Sequence, residues 1–154
     1  MIGLLQRVSH ASVTVGGDVV ASIGRGLLVL VGVERGDGEN QAKRLAARLV
    51  EYRVFPDAGG RMNVSVAAAG GSILLVPQFT LAADTRKGTR AGFSKAAEPA
   101  IGAALFDLLA REVEARGVPV ARGRFGAEMD VALTNVGPVT FWLQVPPDGP
   151  RRGA

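Results

Sequence analysis

Two short stretches carry residue types that could do chemistry through or beside the main chain. Residues 135–140 read Asn-Val-Gly-Pro-Val-Thr and stand between two strand-like runs, 130–134 and 139–145. Proline gives no N–H to a ladder and fixes its own φ, and X-Pro is the one peptide for which the cis form is cheap, about 0.5–1 kcal/mol against trans. Gly137 removes the Cβ, so the backbone can turn sharply or let a ligand come close. This hairpin-like region reads as a rigid backbone probe or as an ordinary type VI or type II turn. Residues 77–81, Pro-Gln-Phe-Thr-Leu, run directly off an apolar strand. Gln78 offers an amide that donates and accepts, Phe79 an aromatic platform and Thr80 a hydroxyl, at a strand end, where functional groups often sit. The plainer reading is strand-end hydrogen bonding for Gln78 and Thr80 and core packing for Phe79.

A third stretch, 84–95, is polar and basic, with Arg86, Lys87, Arg90 and Lys95 around Phe93. Cations with an embedded aromatic suit a nucleic-acid backbone, and Arg86, Lys87 and Arg90 are candidate RNA contacts. Lys43, Arg44 and Arg48 instead fall on the outer side of a helix and read as a solvated face. The chain has no Cys and one His, His10. Disulfides and thiolate chemistry are excluded, any Ser-His-Asp triad would have to use His10, and no metal site is expected. Gly36-Asp37-Gly38 lacks the third glycine of a dinucleotide fingerprint, because position 41 is Gln, and reads as a plain turn.

The elements that must position these residues follow from periodicity. At 154 residues with 47% hydrophobic content, one domain with a real core is expected. The net charge of +4 suits an anionic partner. No signal peptide or membrane span is legible, so a cytoplasmic protein is expected. Residues 4–15, 18–23 and 27–33 predict a three-strand meander, with Gly16-Gly17 as a tight turn. Residues 39–52 predict a helix whose buried face is Ala42, Leu45, Ala46, Leu49 and Val50. Short strands follow at 53–55, 62–66 and 72–76. A second helix runs over 98–116, with Pro99 at its first turn and Gly117 ending it. Residues 118–122, 125–134 and 139–145 look extended. The expected fold is α+β, with about eight strands in mostly antiparallel sheets, ordered β-β-β-α-β-β-α-β-β-β, and two helices packed on one side. Residues 1–145 form the single domain and 146–154 a disordered tail.

PQFTL at 77–81 and NVGPVT at 135–140 resemble the two signature motifs of the D-aminoacyl-tRNA deacylase family. The opening QRVSHASVTV, the run IGRGLLVLVGV, MNVSV, ADTRKGTRAGFS and GVPVARGRFGAEMDVALTN are also similar to that family, over roughly positions 1 to 145. The resemblance implies a homodimer without cofactor or metal. It would hydrolyse the ester that joins a D-amino acid, or glycine mischarged on the tRNA for alanine, to the 3′-terminal adenosine. It further implies a cis Gly137-Pro138 peptide that, with Val139, reaches into the partner's pocket as a chirality gate. Backbone carbonyls there would hold the α-ammonium group, an L side chain would clash, and Arg7 would brace the element through its fork of donors. Phe79 would pack near the adenine, and the backbone of Gln78, Phe79 and Thr80 would supply donors to the oxyanion. No general base is visible beside Thr80, so the ribose 2′-OH is expected to help activate water. The family usually has Ser where this chain has Pro77, which removes a hydroxyl and an N–H at the pocket edge and bears on selectivity among esters. A non-catalytic nucleic-acid-binding module and, third, a small-molecule hydrolase unrelated to tRNA are the alternatives.

Overall fold

A computed structural model describes residues 1–149. The chain opens with the three expected strands, β1 (Ile2–Val15), β2 (Asp18–Ile23) and β3 (Gly26–Gly32), but the expected meander is corrected: β1 pairs with both β2 and β3, and β2 does not pair with β3. Gly16 and Gly17 have φ of 57° and 86°, so a two-residue turn that needs left-handed backbone at both positions reverses the chain between β1 and β2. Helix α1 (Glu39–Glu51) starts where the Gln41 side chain accepts the Gly38 N–H at 2.8 Å. Its predicted apolar face is the face that is buried. The strands β4 (Arg53–Pro56) and β5 (Met62–Ser65) pair as a separate antiparallel ribbon. Then come β6 (Ser72–Pro77), a 3-10 turn over Phe79–Ala82, α2 (Pro99–Ala115), β7 (Val120–Arg122) and β8 (Asp130–Gln144).

The main sheet has the order β2-β1-β3-β6-β7, with β8 pairing β1 on its other side. The pairing is mostly antiparallel, as expected, since β1 pairs β2, β3 and β8 and β4 pairs β5 in that sense, but two ladders depart from it. β3 pairs β6 and β6 pairs β7 in parallel, so the sheet is mixed. Three strands stand between the helices, at the three stretches read as extended there although the predicted order counted two, and two rather than three follow α2. The reason is connectivity. α1 with the β4–β5 ribbon, and then α2, act as crossovers that return the chain in the same direction. The continuous apolar runs of β3 and β6 fit strands buried on both faces. Gly26 belongs to the same feature, since a Cβ there would lie 1.8 Å from the Ser72 carbonyl oxygen.

The region 130–145 is also corrected. It is not a hairpin but one strand, antiparallel to β1 throughout. Asp130 to Asn135 pair with Thr14 down to Val8, and Thr140 to Gln144 pair with Gln6 down to Ile2. Residues 136–139 therefore stand opposite Arg7 alone, and the surplus leaves the ladder as a wide bulge. Because both flanks pair with the same strand, the chain cannot reverse at Gly-Pro.

The core lies on both faces of the sheet. The helices pack on each other over Leu5, Leu27, Val29, Ile73 and Leu75. Val13, Ala21, Leu28, Leu74 and Val76 form a second cluster where β2 curls toward β6 and β7. The Met1 ammonium is buried against Asp37 Oδ1 at 2.8 Å, Glu34 Oε2 at 3.1 Å and the Val145 carbonyl at 2.6 Å. Burial pushes the Asp37 carboxyl up, against the pull of that ammonium. The Pro146 carbonyl accepts from Gln41 Nε2 at 3.4 Å. Residues 150–154, part of the expected tail, lie outside the described residues. Among the described residues no helix is long and apolar enough to cross a membrane.

Candidate active site

A cavity of 470 Å³ opens beside the end of β6. Its wall is apolar: Val31 and Val33 beyond β3's centre, Val76 and Pro77 from β6, Pro99, Gly102 and Phe106 from α2, then Phe125, Met129 and Val131. Gln78 and Phe79 complete it. Phe79 is exposed, so the reading of it as core packing is set aside, and its ring meets Phe93 at 5.1 Å between centroids.

The local geometry comes from how β6 ends. Pro77 lies opposite Val31, and the Gln78 N–H donates to the Val31 carbonyl at 2.7 Å, the last tie to the sheet. The chain then tightens into the 3-10 turn, with Leu81 N donating to the Gln78 carbonyl at 3.2 Å. Of the three backbone donors expected from Gln78 to Thr80, that of Gln78 is thus spent on the sheet. Those of Phe79 and Thr80 stand at the open start of the turn, ahead of any internal acceptor. Gln78 Nε2 donates to Thr80 Oγ1 and fixes that hydroxyl.

The Gly137-Pro138 peptide is cis, and Gly137 has φ of 138°. Val136, Gly137 and Pro138 are exposed, while Val139 is half-buried. Asn135 closes the neck of the bulge. Its Oδ1 accepts the Val139 N–H at 2.7 Å, and its Nδ2 donates to the Val139 carbonyl at 3.2 Å and to Thr140 Oγ1 at 2.9 Å. Sequence reasoning passed over Asn135, although an amide placed just before a Gly-Pro step is a signal for such a clamp. Arg7 donates from Nε to the Val136 carbonyl at 2.9 Å and from Nη1 to the Val54 carbonyl at 2.7 Å, tying bulge, β1 and β4 together. A second cleft of 280 Å³ lies here, between Arg7, Arg25, Phe55, Pro56 and Val136. No residue of 135–140 lines the first cavity. One chain thus carries the two motifs at separate places.

His10 lies on β1, with Nδ1 3.1 Å from Ser9 Oγ and Nε2 3.2 Å from Thr134 Oγ1, and it is not part of the cavity. In the basic loop, Arg86 is not a free cation. It grips Asp84 from Nε at 2.9 Å and Nη2 at 2.6 Å and holds that carboxyl far below the usual range. Lys87 and Arg90 are exposed. Among the described residues no cluster of three or more His, Cys, Asp or Glu is placed to hold a metal ion.

The family model described as D-Tyr-tRNA(Tyr) deacylase matches residues 4–144. A D-aminoacyl-tRNA deacylase of Thioalkalivibrio sulfidiphilus is 60% identical over 147 residues, covering 96% of this chain and 99% of the relative. One of Methylococcus capsulatus is 58% identical over 153 residues, covering 99% and 100%. The solved structure of a c-Myc DNA unwinding element binding protein superposes with a TM-score of 0.90 at 34% identity, covering 95% of this chain and 99% of its own. The family match begins within β1, ends with β8 and runs through both motifs, and the chain therefore belongs to the D-Tyr-tRNA(Tyr) deacylase family.

Proposed function

We propose that this chain hydrolyses the ester between a D-amino acid and the 3′-terminal adenosine of tRNA, and takes glycyl esters too, releasing free amino acid and tRNA. The observation that carries the reading is the division of the two motifs. An aromatic-rimmed apolar cavity holds Gln78 and Phe79, while an exposed Gly-Pro bulge stands elsewhere on the same chain. A homodimer completes the site by inserting the bulge of one subunit into the cavity of the other. The terminal adenine then packs near Phe79, and backbone carbonyls around Gly137 and Pro138 face the α-ammonium. An L side chain collides with the bulge and a D side chain points away, while glycine has nothing to reject. Pro77 adds apolar wall at the edge where selectivity among these esters is set.

The chemistry needs donors for the carbonyl oxygen as it gains charge, and the Phe79 and Thr80 N–H groups supply them. None of the residues lining the cavity has a side chain that can serve as a general base. The ribose 2′-OH beside the scissile ester takes that part and helps activate the attacking water. Water adds to the carbonyl carbon, the bond to the 3′-oxygen breaks, and that oxygen leaves with a proton. Lys87 and Arg90 meet the RNA backbone, with Arg86 ordering their loop through Asp84. Such an enzyme works beside translation, in the cytoplasm, and removes D-residues before they reach the ribosome.

Purified protein incubated with D-Tyr-tRNA and L-Tyr-tRNA tests the activity: cleavage of neither above the buffer rate rejects it. A 3′-terminal 2′-deoxy tRNA tests the mechanism, since undiminished cleavage removes the 2′-OH from it and returns Thr80 as nucleophile. For the shared site, a Phe79→Ala chain mixed with a Gly137→Ala chain recovers about a quarter of wild-type activity, because half of the random dimers hold one intact site. A second reading, a nucleic-acid-binding module without catalysis, is favoured by the likeness to the DNA unwinding element binding protein. It predicts tight duplex DNA binding with no ester cleavage.

A further inference from the structure

We propose that Phe93 is the stacking platform for the base that precedes the terminal adenosine, so that the protein holds two unpaired nucleotides of the RNA end. The identity of the RNA rests on the deacylase reading. The platform itself rests on where the aromatic residues lie. The chain has six Phe. Phe55 and Phe106 are in the core and Phe141 is half-buried. The other three, Phe79, Phe93 and Phe125, are 60%, 45% and 40% exposed. These three gather at one place. Phe79 and Phe125 line the 470 Å³ cavity, and Phe93 is outside its wall, packed on Phe79 with the rings tilted at 47°.

Large apolar side chains grouped in water mark an interaction site. A cavity of this size encloses one small-molecule moiety, here the aminoacyl-nucleoside. The next base must then lie outside the wall, and Phe93 is the exposed ring there. The segment that carries it has the charge for the accompanying phosphate. Lys87, Arg90 and Lys95 are exposed along it, and the bridges Asp84 to Gly92 and Glu34 to Ala96 anchor it to the body. Ring under base and cation beside backbone is the division by which single strands are held without reading base edges. Phe93 therefore selects for an unpaired base at this position and not for its identity.

The test uses a non-hydrolysable ligand, D-tyrosine joined by an amide to 3′-amino-3′-deoxyadenosine, alone or carrying one cytidylate on its 5′ side. In the wild type the added nucleotide lowers Kd roughly tenfold. Phe93→Leu abolishes that gain and leaves the Kd of the shorter ligand within about twofold, while Phe93→Trp keeps the gain. Equal Kd for both ligands in the wild type, or a gain that survives Phe93→Leu, overturns the proposal. So does an equal loss on both ligands in Phe93→Leu, because Phe93 would then act only by supporting Phe79. The readout needs no hydrolysis. A wild type that shows the gain yet leaves D-Tyr-tRNA intact sinks the deacylase reading and upholds the platform.

Discussion

Arg7 holds the carbonyl of Val136 at 2.9 Å from Nε while its Nη1 reaches the Val54 carbonyl at 2.7 Å, so one guanidinium sets the height of the Gly-Pro bulge above the sheet. Lysine brings one point charge and no fork, and cannot reproduce both contacts. Arg7→Lys is expected to lower thermal stability by about 2 kcal/mol, the scale of losing a hydrogen bond from a charged group. It also narrows the ratio of D-Tyr-tRNA to L-Tyr-tRNA cleavage by roughly tenfold or more, as a gate that moves loses its clash. Paired deacylation rates and a melting curve check this; an unchanged ratio would count against the bracing role.

Gly137 has no room for a side chain. A Cβ would stand 2.7 Å from Val139 Cγ2 and 3.1 Å from Arg7 Nη2, at a φ of 138° that L-residues rarely adopt. Gly137→Ala should cost on the order of 1–3 kcal/mol locally and abolish D-Tyr-tRNA cleavage while the fold survives. Gly16→Ala is the control, since it shares a positive φ but meets nothing within 4 Å. Circular dichroism with a deacylation assay separates the two, and a Gly137→Ala enzyme of full activity would falsify the backbone-probe account.

Gly26→Ala is expected to be the most damaging glycine substitution in the chain. The added methyl meets the Ser72 carbonyl oxygen at 1.8 Å, and that carbonyl belongs to a strand end that cannot rotate away. A loss of about 4 kcal/mol or more, seen as insoluble or unfolded protein, is the expected outcome. A soluble variant that melts with the wild type would show that β3 and β6 can separate at this end.

The buried Met1 ammonium is neutralised chiefly by Asp37, whose side chain is fully buried beside it. Burying such a pair is costly, which is why the Asp37 carboxyl is pushed up, but halving it is costlier. Asp37→Ala should destabilise by about 3–5 kcal/mol in urea unfolding. It should leave the Kd of an adenosine ligand unchanged, because Asp37 does not line the cavity.

Acid should loosen the surface loops first. Asp57 accepts from Asn63 Nδ2 and from the Arg61 and Gly59 N–H groups, and Asp84 is gripped by Arg86; both carboxyls are held below their ordinary value. A depressed folded-state pKa means stability that is present above the unfolded value, about 3.9, and is lost as pH falls through the folded one. The urea midpoint should therefore drop as pH goes from about 4 toward 2. For Asp57→Ala the drop should be smaller and the gap to wild type should close in acid. A gap that widens with acid would contradict the sign.

Local periodicity made much of this fold legible. The face of α1, the Gly16-Gly17 turn and the buried runs of β3 and β6 all follow from residue spacing. Direction did not. A run such as Ser72 to Val76 reads the same whether its neighbour is parallel or antiparallel, and only the crossovers decide. The same limit applies at Gly137-Pro138, where the turn reading and a bulge use the same residues and differ only in which strand the flanks pair with. For the candidate site, Gln78 and Phe79 stand out by residue type at a strand end, and Arg7 only through the family resemblance. The Gln78 N–H tied to Val31, the Arg86 grip on Asp84 and the Asn135 clamp were not legible, because each depends on a partner brought in by the fold.

The long strand β8 pairs on one side only, so its outer edge is a row of main-chain groups fifteen residues long. Such an edge invites another extended chain to add to it and, through it, aggregation. The bulge at 136–139 interrupts that row. Residues 136–139 leave the ladder there, and Pro138 has no N–H to offer at all. What remains are two short templates, 130–135 and 140–144, that no straight strand can engage together. The bulge that carries the chirality gate in the proposed mechanism thus also keeps the sheet from recruiting strands it should not have.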